Sequence, residues 1–210
     1  MIIMLNEVEL RTLAGFFPEA GEKTLKELQE RSGYSYERVY SALKSLKKKG
    51  VVSGRKVGKT LVYTVQTSTD VTYLAFVYFM LSKKERLAKK FPNVWRALDE
   101  FLAKTDLQMA ILFGSYAKEE AKEESDIDLL CMNGSDAEKI ALSLKHKYNL
   151  RINPVLIKKG DFKNIKGENP EFWRDLVEFG VVLRGQEMFY EMVYRRNEWR
   201  KSTGLSTKVY

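Results

Sequence analysis

The sequence contains one cysteine and one histidine in 210 residues. Cys131 has no second thiol to pair with, which excludes a disulfide-built scaffold and fits a reducing cytoplasm; its place after "DIDLL" predicts core packing. His146, in "LKHKY", reads as exposed and has no cysteine or second histidine for company, which excludes the usual zinc sites and a histidine-activated nucleophile. Long apolar runs are also missing. The longest, "VTYLAFVYFML" from Val71, falls far short of the ~20 residues that span a bilayer. The start, "MIIMLNEVEL", lacks a basic segment ahead of its apolar residues and a small-residue cleavage site, so a soluble cytoplasmic protein with no membrane partner is expected.

What the chain does have is a basic excess of +8, gathered in one place. Residues 35–59 hold Arg38, Lys44, Lys47, Lys48, Lys49, Arg55, Lys56 and Lys59 against Glu37 alone, a local balance of +7. Charge so confined predicts a footprint for a polyanion rather than general solubility. A length of 210 residues with 44% apolar content fits two small folded domains.

The residues around the basic stretch say what carries it. Over 6–17, Val8, Leu10, Leu13, Ala14 and Phe17 recur at helical spacing, and Pro18 closes the segment. "TLKEL" puts Thr24 at an N-cap with Glu27 three residues on, a capping box, and Ser32-Gly33 ends that second helix. Ser35 caps a third, in which Val39, Ala42, Leu43 and Leu46 form the inner stripe. After Gly50 the period becomes alternating, and "VVSGRKVGKTLVYTV" reads as two strands around a tip of Gly54, Arg55, Lys56 and Gly58. Three helices followed by a basic hairpin resemble a winged helix-turn-helix over residues 1–66. The resemblance implies a partner in double-stranded DNA, with Tyr36, Arg38, Tyr40, Ser41, Lys44 and Lys48 facing it and Arg55, Lys56 and Lys59 on phosphates. Which of these read bases the sequence leaves open.

"TSTD" at 67–70 reads as a link and N-cap, and residues 67–92 as a linking helix. Its Tyr73, Leu74, Phe76, Val77, Phe79, Met80 and Leu81 give an apolar surface wide enough for a domain junction or a dimer contact, or for burial within the chain. A further helix over 93–103 carries Val94, Trp95, Leu98 and Leu102.

Beyond it, "LQMAILFG" reads as a buried strand, Gly114-Ser115 as a tight turn, "YAKEEAKEE" as a solvated helix or loop, and "SDIDLLCM" as the next strand. Strand residues i and i+2 share a face with Cα atoms roughly 6–7 Å apart, so Asp126 and Asp128 converge while Ile127 and Leu129 turn to the core. Two carboxylates so placed on a buried strand repel each other and invite a hard divalent cation.

Gly114 and Ser115 followed by "SDIDLL" resemble the nucleotidyltransferase signature of the DNA polymerase beta superfamily, G-S-x-A-R-G then S-D-I-D-L, in its minimal form over residues 93–187, with 188–210 as a C-terminal helix and tail. The resemblance implies an α+β chain: a winged helix followed by a small mixed sheet with flanking helices. It implies that Asp126 and Asp128 are catalytic and bind Mg²⁺, and that Gly114, Ser115, Lys118 and Ser125 hold a nucleoside triphosphate, with ATP expected, whose nucleotidyl group is transferred as pyrophosphate leaves. Lys118 and Glu119 replace the signature's Arg and Gly. The family's third carboxylate falls on "RINPVLI", where Asn153 stands, and Glu123, Glu124 and Asp161 are the substitutes the sequence offers, each of which also reads as a solvated surface residue. Two alternatives follow: a regulator that senses nucleotide without transferring it, and an antitoxin-like member of a toxin–antitoxin pair with a small helical toxin as partner. A homodimer would suit paired DNA half-sites.

Overall fold

The computed structural model describes residues 4–195. The chain forms two compact units, one running to Phe79 and resuming at Tyr190, the other Met80–Phe189. Among the described residues no helix is long and apolar enough to cross a membrane.

In the first unit, α1 is Glu7–Ala14, β1 Lys23–Thr24, α2 Leu25–Ser32, α3 Tyr36–Lys48, β2 Val52–Val57 and β3 Thr60–Val65. Helix α2 begins with the expected box: Thr24 Oγ1 accepts from Glu27 N, and Glu27 Oε2 accepts from Thr24 N at 2.7 Å. Asn6 and Glu9 form a second box on α1 that the sequence reading did not include. Ser35 has the extended N-cap backbone, yet its hydroxyl makes no cap bond. Gly33 ends α2 in the left-handed conformation, φ +72°. The stripe Val39, Ala42, Leu43 and Leu46 is buried as the spacing demands.

The strands pair antiparallel in the order β1-β3-β2. The wing differs from expectation in its length. Gly54, Arg55 and Lys56 lie within β2, opposite Tyr63, Val62 and Leu61, and the turn is Gly58-Lys59. Gly58, at φ +59°, supplies the left-handed residue that a two-residue hairpin loop needs.

Helix α4, Asp70–Lys90, begins in the first unit. Its Phe76 joins Phe17, Tyr190 and Tyr194 in an aromatic cluster with ring centroids 5.2 to 6.2 Å apart. Both tyrosine hydroxyls are satisfied, Tyr190 donating to Thr67 O at 2.8 Å and Tyr194 to Pro18 O at 2.7 Å. The chain therefore returns to the first unit through residues 190–195, and the basic ending over 196–210 lies outside the described residues. Of the apolar surface read on α4, Phe76 and Met80 are buried while Leu74 and Leu81 are exposed.

The second unit comprises α5 Pro92–Lys104, β4 Met109–Phe113, α6 Gly114–Ala117, β5 Ile127–Met132, α7 Ala137–Tyr148, β6 Ile152–Ile157, α8 Lys159–Glu168, α9 Pro170–Glu178, β7 Val181–Arg184 and the start of α10, Gln186–Tyr190. Its sheet has the order β6-β5-β4-β7, with β5 and β6 parallel and the other pairs antiparallel. One face buries Ala110, Leu112, Leu129, Cys131, Val181 and Leu183 against Val94, Leu98 and Phe101 of α5 and Ala141 and Leu144 of α7. On the other face Met109, Ile111, Leu130 and Met132 are also buried, and Phe113 meets Phe172 of α9 edge-on at 5.3 Å. With both faces covered, the strands read as continuous apolar runs.

Candidate nucleotide site and basic face

Three strands bring one row of side chains together. Phe113 of β4 stands opposite Asp128 of β5, and Asp128 stands beside Asn153 of β6, so all three project from the α9 face. Asn153 Nδ2 donates to Asp128 Oδ1 at 3.0 Å. Residue 153 is thus an amide in direct contact with Asp128. Gly114 comes directly off β4 with φ +72°, and a Cβ there would lie 2.7 Å from Asp128 Oδ2. Glycine adopts that backbone freely, and a side chain there would displace the Asp128 carboxylate. Gly114-Ser115 opens the short helix α6 rather than a plain turn, and Tyr116 and Ala117 are buried where a solvated segment was expected. Burial raises the Tyr116 hydroxyl's pKa, and the Asp126 charge adds to it.

The two aspartates are less enclosed than a strand interior implies. Asp126 precedes β5, its side chain is 39% exposed, and its Oδ2 lies 3.4 Å from an exposed Arg151 guanidinium. Such a pair contributes about 0–1 kcal/mol and yields readily to a stronger cation. Two carboxylates at the edge of a glycine turn are hard oxygen donors, which fit Mg²⁺ with several retained waters and not a nitrogen- or sulfur-seeking metal. Among the described residues no three His, Cys, Asp or Glu side chains gather around a point. Glu123 and Glu124 are exposed, and Asp161 accepts from Lys158 N at 3.1 Å as the cap of α8, so none of them completes a carboxylate trio.

Three positions of the signature have other occupations. Lys118 Nζ donates to Asp175 Oδ2 of α9 at 2.6 Å, a bond that raises its pKa, and stands over the Phe179 ring. Glu119, which stands where the signature prefers glycine, adopts φ +61°, and Arg86 and Lys90 hold its carboxylate at 3.4 and 3.6 Å. Ser125 Oγ accepts from Lys122 N at 2.9 Å and closes the turn before the aspartates. Phe113, Phe172 and Arg151 were absent from the sequence reading. The period-two pattern places Phe113 and Arg151 on this face, whereas Phe172 arrives from another element and has no local signal.

On the first unit, Tyr36, Arg38, Tyr40, Ser41, Lys44 and Lys48 are all exposed on α3, and Lys56 and Lys59 on the wing. Arg38 lies over the Tyr34 ring at 4.1 Å. Two cations of the basic stretch are engaged. Arg55 makes a bidentate pair with Glu22 at 2.8 and 2.9 Å. Lys49 pairs with the buried Glu9, whose pKa burial would raise but whose bonds from Lys49 and Ser45 hold it below the ordinary range. The free footprint is smaller than the count of charges.

The family described as "Polymerase beta, Nucleotidyltransferase" matches residues 96–187. Two Methanocaldococcus jannaschii proteins named as candidate protein adenylyltransferases, MJ1305 and MJ0604, are 34% and 32% identical to this chain. The matches cover 49% of this chain and 74% of the first, and 48% of this chain and 97% of the second. The chain belongs to the polymerase beta nucleotidyltransferase family. Residues 3–68 match the family "Sugar-specific transcriptional regulator TrmB", so the nucleotidyltransferase domain follows a TrmB-type helix-turn-helix domain. A solved structure of TrmBL2, described as an archaeal chromatin protein with a novel mode of DNA binding, aligns over 80% of this chain and 71% of its own at 19% identity and a TM-score of 0.28.

Proposed function

We propose that the chain is a cytoplasmic DNA-binding protein whose second unit binds ATP with Mg²⁺ and transfers the nucleotidyl group to a protein hydroxyl. One observation carries the transferase reading: the Asp128 carboxylate packs directly against Gly114, with Asp126 two residues ahead of it. Asp126 and Asp128 would hold the ion, and the Asn153 amide would orient Asp128 through the bond it donates. Bound there, Mg²⁺ supplies charge neutralisation at the phosphates. Gly114 leaves the backbone open to a phosphate, and Ser115 and Ser125 offer hydroxyl donors beside it. In the transfer, the acceptor oxygen bonds to the α-phosphorus, the bond from that phosphorus to the bridging oxygen breaks, and pyrophosphate leaves with the electron pair. The acceptor proton passes to water or to pyrophosphate, because residue 153 offers no base. The names of the two relatives support a protein acceptor.

The bond from Asn153 to Asp128 favours a second reading, a regulator that binds nucleotide without transferring it. Incubation with α-labelled ATP, Mg²⁺ and candidate acceptor proteins separates the two. Label retained on protein, and lost in Asp126→Asn and Asp128→Asn, supports transfer. Calorimetric binding of Mg²⁺-ATP with no retained label supports sensing, and absence of both sinks the site.

The DNA half rests on the TrmB-type domain and its exposed Lys44, Lys48, Lys56 and Lys59. Affinity for duplex should fall with log salt at a slope of about −0.9 per phosphate contacted. A homodimer would address paired half-sites. Binding indifferent to salt contradicts this half.

A further inference from the structure

The first unit leaves large apolar side chains in water on one surface. Tyr36 and Tyr40 lie one turn apart on the outer face of α3, 54% and 47% exposed, their rings 6.2 Å apart and within 7° of parallel. Leu61 of the wing, 41% exposed, lines the same groove, a space of about 260 Å³ between α3, the wing and the start of α2. Tyr63 lines the groove as well, and its ring can lie across β2 because residue 54 is glycine: a Cβ there would meet the Tyr63 ring at 3.3 Å. Solvated aromatic side chains gathered in a groove mark a binding surface.

The rim decides what the groove accepts. Lys26 borders it in an exposed, long pair with Glu30 at 4.0 Å, and the exposed Lys44 and Lys56 belong to the helix and wing that form it. Charge complementarity favours an occupant that carries fixed negative charge, and the tyrosines favour one that presents small apolar groups. Duplex DNA does both, since its phosphates flank a major groove in which every A·T pair displays the thymine methyl. We infer that Tyr36 and Tyr40 read thymine methyl groups and make the first unit prefer A·T-containing duplex. The inference rests on the DNA-binding reading above and names its specificity residues. The lysines contribute affinity that is the same for every sequence.

Replacing thymidine by deoxyuridine removes the methyl and keeps the base-pairing pattern. Anisotropy on the full chain compares a labelled duplex of alternating dA-dT steps, the same duplex with deoxyuridine for thymidine, and the thymidine single strand. The thymidine duplex is expected to bind more tightly by about fourfold per methyl contacted. Tyr36→Ser and Tyr40→Ser should erase that preference, Tyr36→Phe and Tyr40→Phe should keep it, and Lys48→Ala should weaken both duplexes equally. Circular dichroism checks that these surface variants fold. Equal affinity of the parent chain for the two duplexes overturns the inference and leaves DNA binding intact. Tighter, tyrosine-dependent binding of the single strand overturns it in favour of base stacking. Failure to bind any duplex at low salt sinks the DNA-binding reading itself.

Discussion

Gly114 bears two constraints, a left-handed backbone at φ +72° and an Asp128 oxygen 2.7 Å from where a Cβ would stand. Gly114→Ala is expected to cost about 1–2 kcal/mol through the backbone alone. It should also push the Asp128 carboxylate aside, so that calorimetry detects no Mg²⁺-ATP binding while circular dichroism still reports the fold; undiminished binding would refute the placement. Asn153 is the complementary case. Asn153→Asp exchanges a bond to Asp128 for a second anion about 3 Å away, as the present 3.0 Å contact implies. The metal-free variant should melt lower than the parent, Mg²⁺ should restore the difference, and label transfer should rise, a general base being worth roughly 10²–10⁴-fold. A melting point indifferent to Mg²⁺ would show that these groups hold no ion.

Among elements, α2 depends on its first turn. Thr24→Ala removes one half of the capping box and should destabilise the first unit by about 1 kcal/mol, read as a lower denaturation midpoint with unchanged slope. The other end of α2 is tied to the loop after α1: Arg31 donates to Glu19 at 2.8 and 2.9 Å and to Phe17 O at 3.0 Å. Those bonds lower Glu19 to about 2, below its ordinary 4.5. The native carboxyl is then the stronger acid, so its contribution is complete above about pH 4.5 and fades as pH falls toward 2. Glu19→Gln should flatten the stability curve across that window and leave its shape above pH 5 unaltered, apart from a constant offset. An equally steep acid limb in the variant would assign the pH dependence elsewhere.

At the scale of the whole molecule, each unit has its own buried core, and the two candidate activities fall in different units. Asp128→Asn should leave duplex affinity unchanged, and Lys48→Ala should leave nucleotide binding unchanged. Anisotropy and calorimetry on both variants test this, and a loss in both assays from either change would reveal coupling. The charge excess of +8 is informative here only after pairing is subtracted, because Arg55 and Lys49 are held by Glu22 and Glu9.

The sequence by itself determined what is periodic or local. The stripe of α3 and the Thr24–Glu27 box follow from side-chain spacing and hydrogen bonds spanning a few residues. Only the tertiary structure decided what depends on residues far apart in the chain. The Lys118–Asp175 bond spans 57 positions, the pairing of Lys49 with Glu9 spans 40, and Phe172 reaches Phe113 from a separate helix. It likewise set the true wing turn, through the register of β2 against β3, and the half-exposed state of Asp126, through its place just ahead of β5. Period and capping act within one element, whereas the partner of a charge or a ring is chosen by how elements pack, and no spacing along the chain encodes that choice.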